Sequence, residues 1–371
     1  MATPISVLLV EDSPIATTLL KRILTSSPDI VVVGTAGNGV EALELIPKLQ
    51  PHVVCTDLHM PRMDGLELTR WIMTEYPRPI LVISASVDQH ADQQNVFQLL
   101  QAGALDVFPK PTISSLGDYE QIRHELITRI KVLSGVSVFT QRRSKLSSQP
   151  APPASVATKP LVYPVPRQPG LLTPSPRSPA IARIHAPKVV AIGASTGGPQ
   201  ALHTILKALP AHFPLPILCV QHISEGFLSG LTQWLASACQ LRVTIAQAGD
   251  YPKPGFIYFA PDRSHLQLSS KGTFVLAGDA PVSGHRPSVT VLFQSVATYY
   301  RQTAIGVLLT GMGRDGADGL HAIAQAGGIT IAQSEESCVV FGMPKEAIDL
   351  GAVQTILSPE EISPYLVKEC G

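Results

Sequence analysis

Three residues far apart in the chain have the side chains of an acyl-transfer site. They are Ser195 in "AIGASTGGPQAL", His222 in "CVQHI" and Asp315 in "VLLTGMGRDG". A serine hydroxyl is a weak nucleophile until an imidazole takes its proton, and the imidazole needs a carboxylate on its other nitrogen to fix its tautomer. The small residues around Ser195 suit a tight strand-to-helix elbow that holds the hydroxyl up. Backbone N–H groups at Thr196 and in the Gly311-Met312-Gly313 turn are candidates for an oxyanion hole, because glycine lets backbone approach a reacting carbonyl closely. A different chemistry competes for the same turn, since a glycine-rich loop opening a helix also cradles cofactor phosphates. A nicotinamide site needs an acid about 20 residues beyond the glycines, and residues 213–223 contain none. Nor is there a Gly-Lys-Ser/Thr, which a P-loop requires. Plainer readings stand beside each candidate. The glycines around Ser195 can form a simple tight turn, and Asp315 can cap the helix that begins in "DGADGLHAI". His265 and His285 are rival bases in a less regular stretch, whereas His203 and Trp234, at helical apolar spacing, read as core.

A second constellation lies in the N-terminal third. Glu11 and Asp12 close the apolar run "LLV", Asp57 closes "HVVCT", Ser84 closes "PILVI" and Lys110 closes "DVFP". Three carboxylates gathered in one crevice repel each other unless a divalent cation holds them, and hard oxygen ligands suit Mg²⁺. A carboxylate can also attack phosphorus to give an aspartyl phosphate. Lys110 would then pair with the phosphoryl group, and Ser84 would hydrogen-bond it.

Both constellations need the same scaffold. The N-terminal residues alternate buried-strand runs ("ISVLLV", "IVVVGTA", "HVVCTD", "PILVISA", "DVFPK") with amphipathic helix patterns, giving five β-α units and an open parallel sheet. In such sheets, chemistry collects beyond the carboxyl ends of the strands. The C-terminal half repeats the alternation from "KVVAIGA" to "GITIAQ", with "FIYFAPDRSHLQLSSKGTFVLA" reading as a hairpin-like insertion around a Lys-Gly turn. The expected fold class is therefore α/β, with two doubly wound parallel-sheet domains, the first flavodoxin-like and the second Rossmann-like with a β-hairpin insertion. Between them, residues 136–187 hold seven basic and no acidic side chains and are dense in proline. Proline fixes φ and removes a donor, so an extended linker is expected there. The domain reading is 4–133, a linker over 134–187, and 188–371.

The totals exclude several classes. The chain of 371 residues is 45% hydrophobic and 15% charged with zero formal net charge. Neither half carries a basic surplus, so nucleic-acid binding is not indicated. No apolar run is long enough to span a bilayer, which argues against membrane insertion, and the N-terminal apolar stretch is too short for a signal peptide. Five cysteines, an odd number with no C-x-x-C pair, fit a reducing cytoplasm rather than a disulfide or zinc framework.

"LLVEDS", "DLHMPRMDG" and "DVFPKP" resemble the receiver domain of two-component response regulators. The resemblance implies Asp57 as phospho-acceptor, Glu11 and Asp12 as metal-site acids with Mg²⁺, and Ser84 and Lys110 as the switch pair. Glu11 departs from the commoner aspartate. "AIGASTGGP", "VQHI", "GHRPSVTVLF", "VLLTGMGRDGADGL" and "CVVFGMPKEAI" resemble, in order, the CheB family of chemotaxis protein-glutamate methylesterases. This implies Ser195 as nucleophile, His222 as general base and acid, Asp315 as orienting acid, and Met312 beside the oxyanion hole, with no cofactor at that site. Thr290 stands where the family usually has aspartate. The implied activity is phosphorylation-activated hydrolysis of glutamate γ-methyl esters on methyl-accepting chemoreceptors, with deamidation of receptor glutamines. A CheA-type histidine kinase is the implied phosphodonor, and a cytoplasmic monomer is expected. The rival reading is a non-catalytic, phospho-dependent receptor-binding scaffold.

Overall fold

The computed structural model describes residues 3–84, 90–111, 116–136, 138 and 186–370. Most of the expected linker, residues 139–185, lies outside the described residues. The N-terminal part runs β1 (Ile5–Val10), α1 (Pro14–Thr25), β2 (Ile30–Ala36), α2 (Gly39–Leu49), β3 (Val53–Thr56), α3 (Gly65–Glu75), β4 (Ile80–Ser84), α4 (His90–Ala102), β5 (Asp106–Pro109) and α5 (Leu116–Ser134). Its strands pair in parallel in the order β2-β1-β3-β4-β5. The central runs are buried on both faces, as a parallel sheet covered by helices demands. Local signals set the helix starts. Ser13 caps α1 with Pro14 at its first position, Asn38 caps α2, and Asp64 caps α3 through the Glu67 N–H at 2.8 Å. The chain reverses direction across the sheet between β1 and β3, and the acidic residues follow those two strands.

The C-terminal part runs β6 (Val189–Ala194), α6 (Gly198–Lys207), β7 (Ile217–Gln221), α7 (Leu228–Ala238), β8 (Arg242–Ile245), β9 (Phe256–Phe259), β10 (His265–Leu268), β11 (Phe274–Ala277), α8 (Val289–Tyr300), β12 (Ala304–Leu308), α9 (Ala317–Gln325), β13 (Ile329–Gln333), α10 (Met343–Asp349), β14 (Thr355–Leu357) and α11 (Pro359–Cys370). Seven strands form one parallel sheet in the order β14-β13-β12-β6-β7-β9-β8. The reversal point is β6, flanked by β12 and β7, so residues following these three strands share one crevice.

The α/β class with two parallel sheets is as expected from the alternation. The insertion is smaller than the sequence suggested. "FIYF" is not part of a hairpin: β9 pairs in parallel with β7 and β8 inside the main sheet. The antiparallel hairpin is confined to β10 and β11, turning at Gly272 with φ +81°. Past β13 the sequence reading assigned nothing, yet α10, β14 and α11 complete the sheet edge. There Ser363 Oγ donates to the Ile205 carbonyl of α6 at 2.7 Å.

The two sheet units touch. Phe97 of α4 stacks on Trp234 of α7 with ring centroids 5.5 Å apart, and His203 of α6 stacks on the same indole at 4.6 Å. Gln200 Nε2 donates to the Ala104 carbonyl at 2.7 Å. Arg129 of α5 is held by Asp106 and Glu125, at 2.8 Å each, and reaches Ser224 Oγ at 3.4 Å.

Candidate active site

β6 and β7 run in parallel with Ala194 opposite Gln221, the last residue of each strand. The next pair is Ser195 and His222, and neighbouring strands lie about 4.8 Å apart. The elbow after β6 is fixed by backbone bonds. Ser195 N–H donates to the Thr310 carbonyl at 3.0 Å, and Gly198 N–H donates back to the Ser195 carbonyl at 2.8 Å. Gly197 takes φ +77°, a left-handed conformation suited to glycine. Gly311, after β12, backs directly onto the serine: a β-carbon there would fall 2.6 Å from Ser195 Cβ. Ser195 is buried, with 9% of its surface exposed, and its Oγ makes no hydrogen bond among the described residues.

His222 Nε2 lies 2.9 Å from Asp315 Oδ2. Nδ1 is buried without a partner, so it is the ring nitrogen left to take a proton. Asp315 is fully engaged. Oδ1 accepts from Ser288 Oγ at 2.7 Å and from Thr290 N–H at 3.1 Å, and Oδ2 also accepts from Val289 N–H at 2.7 Å. Three of these four donors belong to the N-terminus of α8, where N–H groups lack intrahelical partners and the helix dipole favours an anion. Burial alone would raise this carboxyl. The bonds from His222, Ser288 and Thr290 outweigh it and hold the group well below the usual carboxylate range. Asp315 thus caps a helix, as the plainer reading suggested, but the helix is α8 and not its own. The N-terminus of α9 is served by Thr290, whose hydroxyl accepts from Gly316 N–H at 2.7 Å. Thr290 thus holds the start of α9 while its own N–H serves Asp315.

The rival bases separate cleanly. His265 is buried, accepts from Ser288 N–H through Nδ1 at 3.2 Å, and meets the Ala280 carbonyl through Nε2 at 3.2 Å. Both ring nitrogens are committed. His285 lies flat on His222, centroids 3.8 Å apart and planes within 5°. Burial, with the nearby His222 and Arg129 charges and against the pull of Asp315, takes its pKa down to about 4, so it is neutral at pH 7. The 311–313 turn is a smaller donor than the sequence suggested. Gly311 N–H is committed to the Val340 carbonyl at 3.0 Å, leaving the N–H groups of Met312 and Gly313 there, together with that of Thr196, without a partner among the described residues. The Thr310 hydroxyl ties these loops together, donating to the Thr196 carbonyl at 3.0 Å and accepting from Val340 N–H at 2.9 Å.

The N-terminal crevice has the opposite character. Lys110 Nζ bridges Glu11 Oε1 at 2.9 Å and Asp57 Oδ2 at 2.7 Å, while Leu58 N–H donates to Asp57 Oδ1 at 2.7 Å. Burial raises Glu11 and Asp57 despite the lysine, and repulsion from a neighbouring carboxylate, Asp57 for Glu11 and Asp12 for Asp57, raises each further. Burial also works against the Lys110 ammonium, but its bonds to Asp57 and Glu11 prevail and raise it. Ser84, at the end of β4, is buried, and its carbonyl accepts Lys110 N–H at 2.7 Å. One oxygen from each of Glu11, Asp12 and Asp57 lies within 4.8 Å of the others, and Glu11 Oε2 is buried with no partner. An all-oxygen, donor-poor cluster of this kind fits a hard divalent cation.

Comparison with known proteins gives residues 190–366 as a match to the CheB methylesterase family and residues 7–117 as a match to the response regulator receiver domain. A protein of Nitrosospira multiformis named protein-glutamate methylesterase/protein-glutamine glutaminase is 41% identical over 98% of this chain and 96% of its own length. The chain belongs to the protein-glutamate methylesterase/protein-glutamine glutaminase family. Another similar member, from Syntrophus aciditrophicus, is 42% identical and covers 99% of both chains. Among solved structures, the catalytic domain of Thermotoga maritima CheB methylesterase is 40% identical, covers 50% of this chain and 99% of its own, and gives a TM-score of 0.48.

Within this methylesterase-family chain, sequence reasoning passed over Ser288, Gln221 and Gln333. Gln333 ends β13, accepts from Thr310 N–H at 2.8 Å and donates to the Ser337 carbonyl at 2.8 Å. The signal was available: "ILCVQ" and "ITIAQ" are apolar strands that each end in one buried glutamine. Among the described residues, no helix is long and apolar enough to cross a membrane.

Proposed function

We propose that this chain hydrolyses glutamate γ-methyl esters on the cytoplasmic helices of methyl-accepting chemoreceptors, deamidates receptor glutamines at the same site, and is switched on by phosphorylation of Asp57. The carrying observation is the His222–Asp315 pair at 2.9 Å, with the other imidazole nitrogen unpartnered beside the strand end that bears Ser195. In this reading Ser195 Oγ attacks the ester carbonyl carbon as its proton passes to His222 Nδ1. Thr196 and Met312 N–H groups donate to the developing oxyanion. Collapse breaks the C–O bond, and methanol leaves with the proton from Nδ1, giving an acyl-enzyme. Water then attacks the acyl carbon, its proton passes to Nδ1 and on to Ser195 Oγ, and glutamate is released. With a glutamine substrate, ammonia leaves from the same intermediate.

Asp57 is the proposed phospho-acceptor, fed by a CheA-type histidine kinase in the cytoplasm. Glu11, Asp12 and Asp57 would hold Mg²⁺, which when bound supplies positive charge to the phosphoryl oxygens. Lys110 already spans two of these acids and would pair with the phosphoryl group, while Ser84 would hydrogen-bond it. Regulation follows from where the units meet. Arg129 and Asp106 lie at Ser224 and Thr196, beside His222 and Ser195, with Asp106 Oδ2 at 3.4 Å from Thr196 Oγ1. In this reading the unphosphorylated receiver restricts access to the crevice through these contacts, and a preference of a few kcal/mol suffices to shift it. Methanol release from methylated receptor membranes, with and without a small acyl phosphate, tests the reading. Release that rises with the phosphodonor supports it. No release in either condition favours the non-catalytic scaffold.

A further inference from the structure

The ladder between β6 and β7 ends with His222 N–H on the Ala194 carbonyl, and beyond it the Ser195 carbonyl accepts from Gly198 N–H within its own turn. Gln221 links the two strand ends there. Its single Nε2 donates to the Ser195 carbonyl at 2.8 Å and to the His222 carbonyl at 2.8 Å. An amide nitrogen carries two hydrogens, and here each is spent on one of the two residues whose mutual placement the reaction needs. The side chain is 4% exposed, and Oε1 is buried with no partner. The reverse amide orientation would set an oxygen against two carbonyl oxygens, so the assignment is fixed by the acceptors. Gly198 makes room for it, since a β-carbon there would collide with Oε1. A glutamine that leaves its own oxygen unsatisfied in order to bridge two carbonyls acts on the loops and not on its own burial.

We propose that Gln221 is a positioning residue that sets the Ser195–His222 separation. It touches no reacting atom and acts by clamping the two turns that carry them. The inference rests on the Ser-His-Asp reading above. Small displacements of reacting groups cost up to about 100-fold in rate, and the clamp does not contact substrate, so its loss should fall on kcat and not on KM.

The test uses the full chain activated by an acyl phosphate, with Gln221→Met, which keeps the volume and removes both donors, and Gln221→Glu, which keeps the shape. Active enzyme is counted from the final stoichiometry of a fluorophosphonate label on Ser195, so misfolded protein does not enter kcat. Expected is a loss of roughly 10–100-fold in kcat per labelled site in both variants, with KM within about threefold. The Gln221→Glu to wild-type ratio of kcat should also rise as pH is lowered from 8 to 6. A buried carboxyl has a raised pKa, and protonation restores one donor. Wild-type kcat per labelled site in Gln221→Met, or a ratio for Gln221→Glu that is flat with pH, overturns the clamp. Ser195→Ala run alongside separates the two ideas: methanol release surviving in it removes the nucleophile assignment itself, whereas a dead Ser195→Ala with a fully active Gln221→Met removes only the clamp.

Discussion

Asp57 directly follows β3 and Asp315 lies in the loop between β12 and α9, each buried on the carboxyl side of a parallel sheet, yet their surroundings differ in kind. Asp315 receives four hydrogen bonds, three of them from one helix N-terminus, and is held strongly ionised. Asp57 shares one lysine with Glu11, sits in a cluster with an unpartnered carboxylate oxygen, and is raised. Under the proposed roles, the carboxylate that only orients an imidazole is given four donors. The carboxylate proposed to attack phosphorus is left short of donors, and a cation and phosphoryl oxygens would complete the site. The contrast turns on donor supply more than on burial, and it can be broken by experiment.

The largest expected effect is at Ser195. Ser195→Ala should lower methanol release by roughly 10⁴–10⁶-fold, while acyl-phosphate labelling of Asp57 proceeds at the wild-type rate. Loss of both would mean the two crevices are not separable. Next comes a pair of matched substitutions. Asp315→Asn should reduce kcat about 10⁴-fold by losing the tautomer-fixing acceptor. It should also cost about 2–3 kcal/mol in urea unfolding, because an amide nitrogen replaces one of two accepting oxygens. Asp57→Asn relieves carboxylate crowding and should not lower stability at all. Equal destabilisation by the two changes would erase the distinction.

Chelation gives a smaller but sharper contrast. Removing divalent cations from the full chain should abolish its stimulation by acyl phosphate and leave the unstimulated rate unchanged, because Glu11, Asp12 and Asp57 form the acidic ligand group found among the described residues. A fall in the unstimulated rate would place a metal in the ester chemistry. The smallest effect is at His285. Its folded pKa is about 4 and its unfolded value about 6.5. The stability conferred by keeping it neutral is full above about pH 6.5 and is lost as pH falls toward 4, because the unfolded chain takes up a proton that the folded one refuses. His285→Phe should therefore flatten the slope of unfolding free energy between pH 6.5 and 4.5 by up to about one proton. An unchanged slope would show that the stacked ring is not held neutral.

Much of this was legible in the sequence because both crevices are built from strand ends, and buried parallel strands read as apolar runs that stop at a polar residue. Glu11, Asp57, Ser84, Ser195, His222 and Thr310 all mark such stops. What could not be read depends on packing across the chain. Nothing in "GHRPSVTVLF" says that its helix start will supply three donors to Asp315, which lies 25 to 27 residues further on. Alternation cannot tell a hairpin strand from a short parallel one, so "FIYF" was placed with the wrong partner. A three-residue edge strand such as β14 exists only because β13 offers it a ladder. Gly311 was read as an oxyanion donor, but its N–H is taken by Val340 from a loop whose approach no local pattern announces.

The central claim is that the state of Asp57 governs access to Ser195. The most direct measurement is the rate at which a fluorophosphonate labels Ser195 in the full chain, read by peptide mass with and without acyl phosphate. The account predicts faster labelling with the phosphodonor in the wild-type chain and an unchanged, slow rate in Asp57→Asn. Labelling of wild-type Ser195 at one rate in both conditions would contradict it.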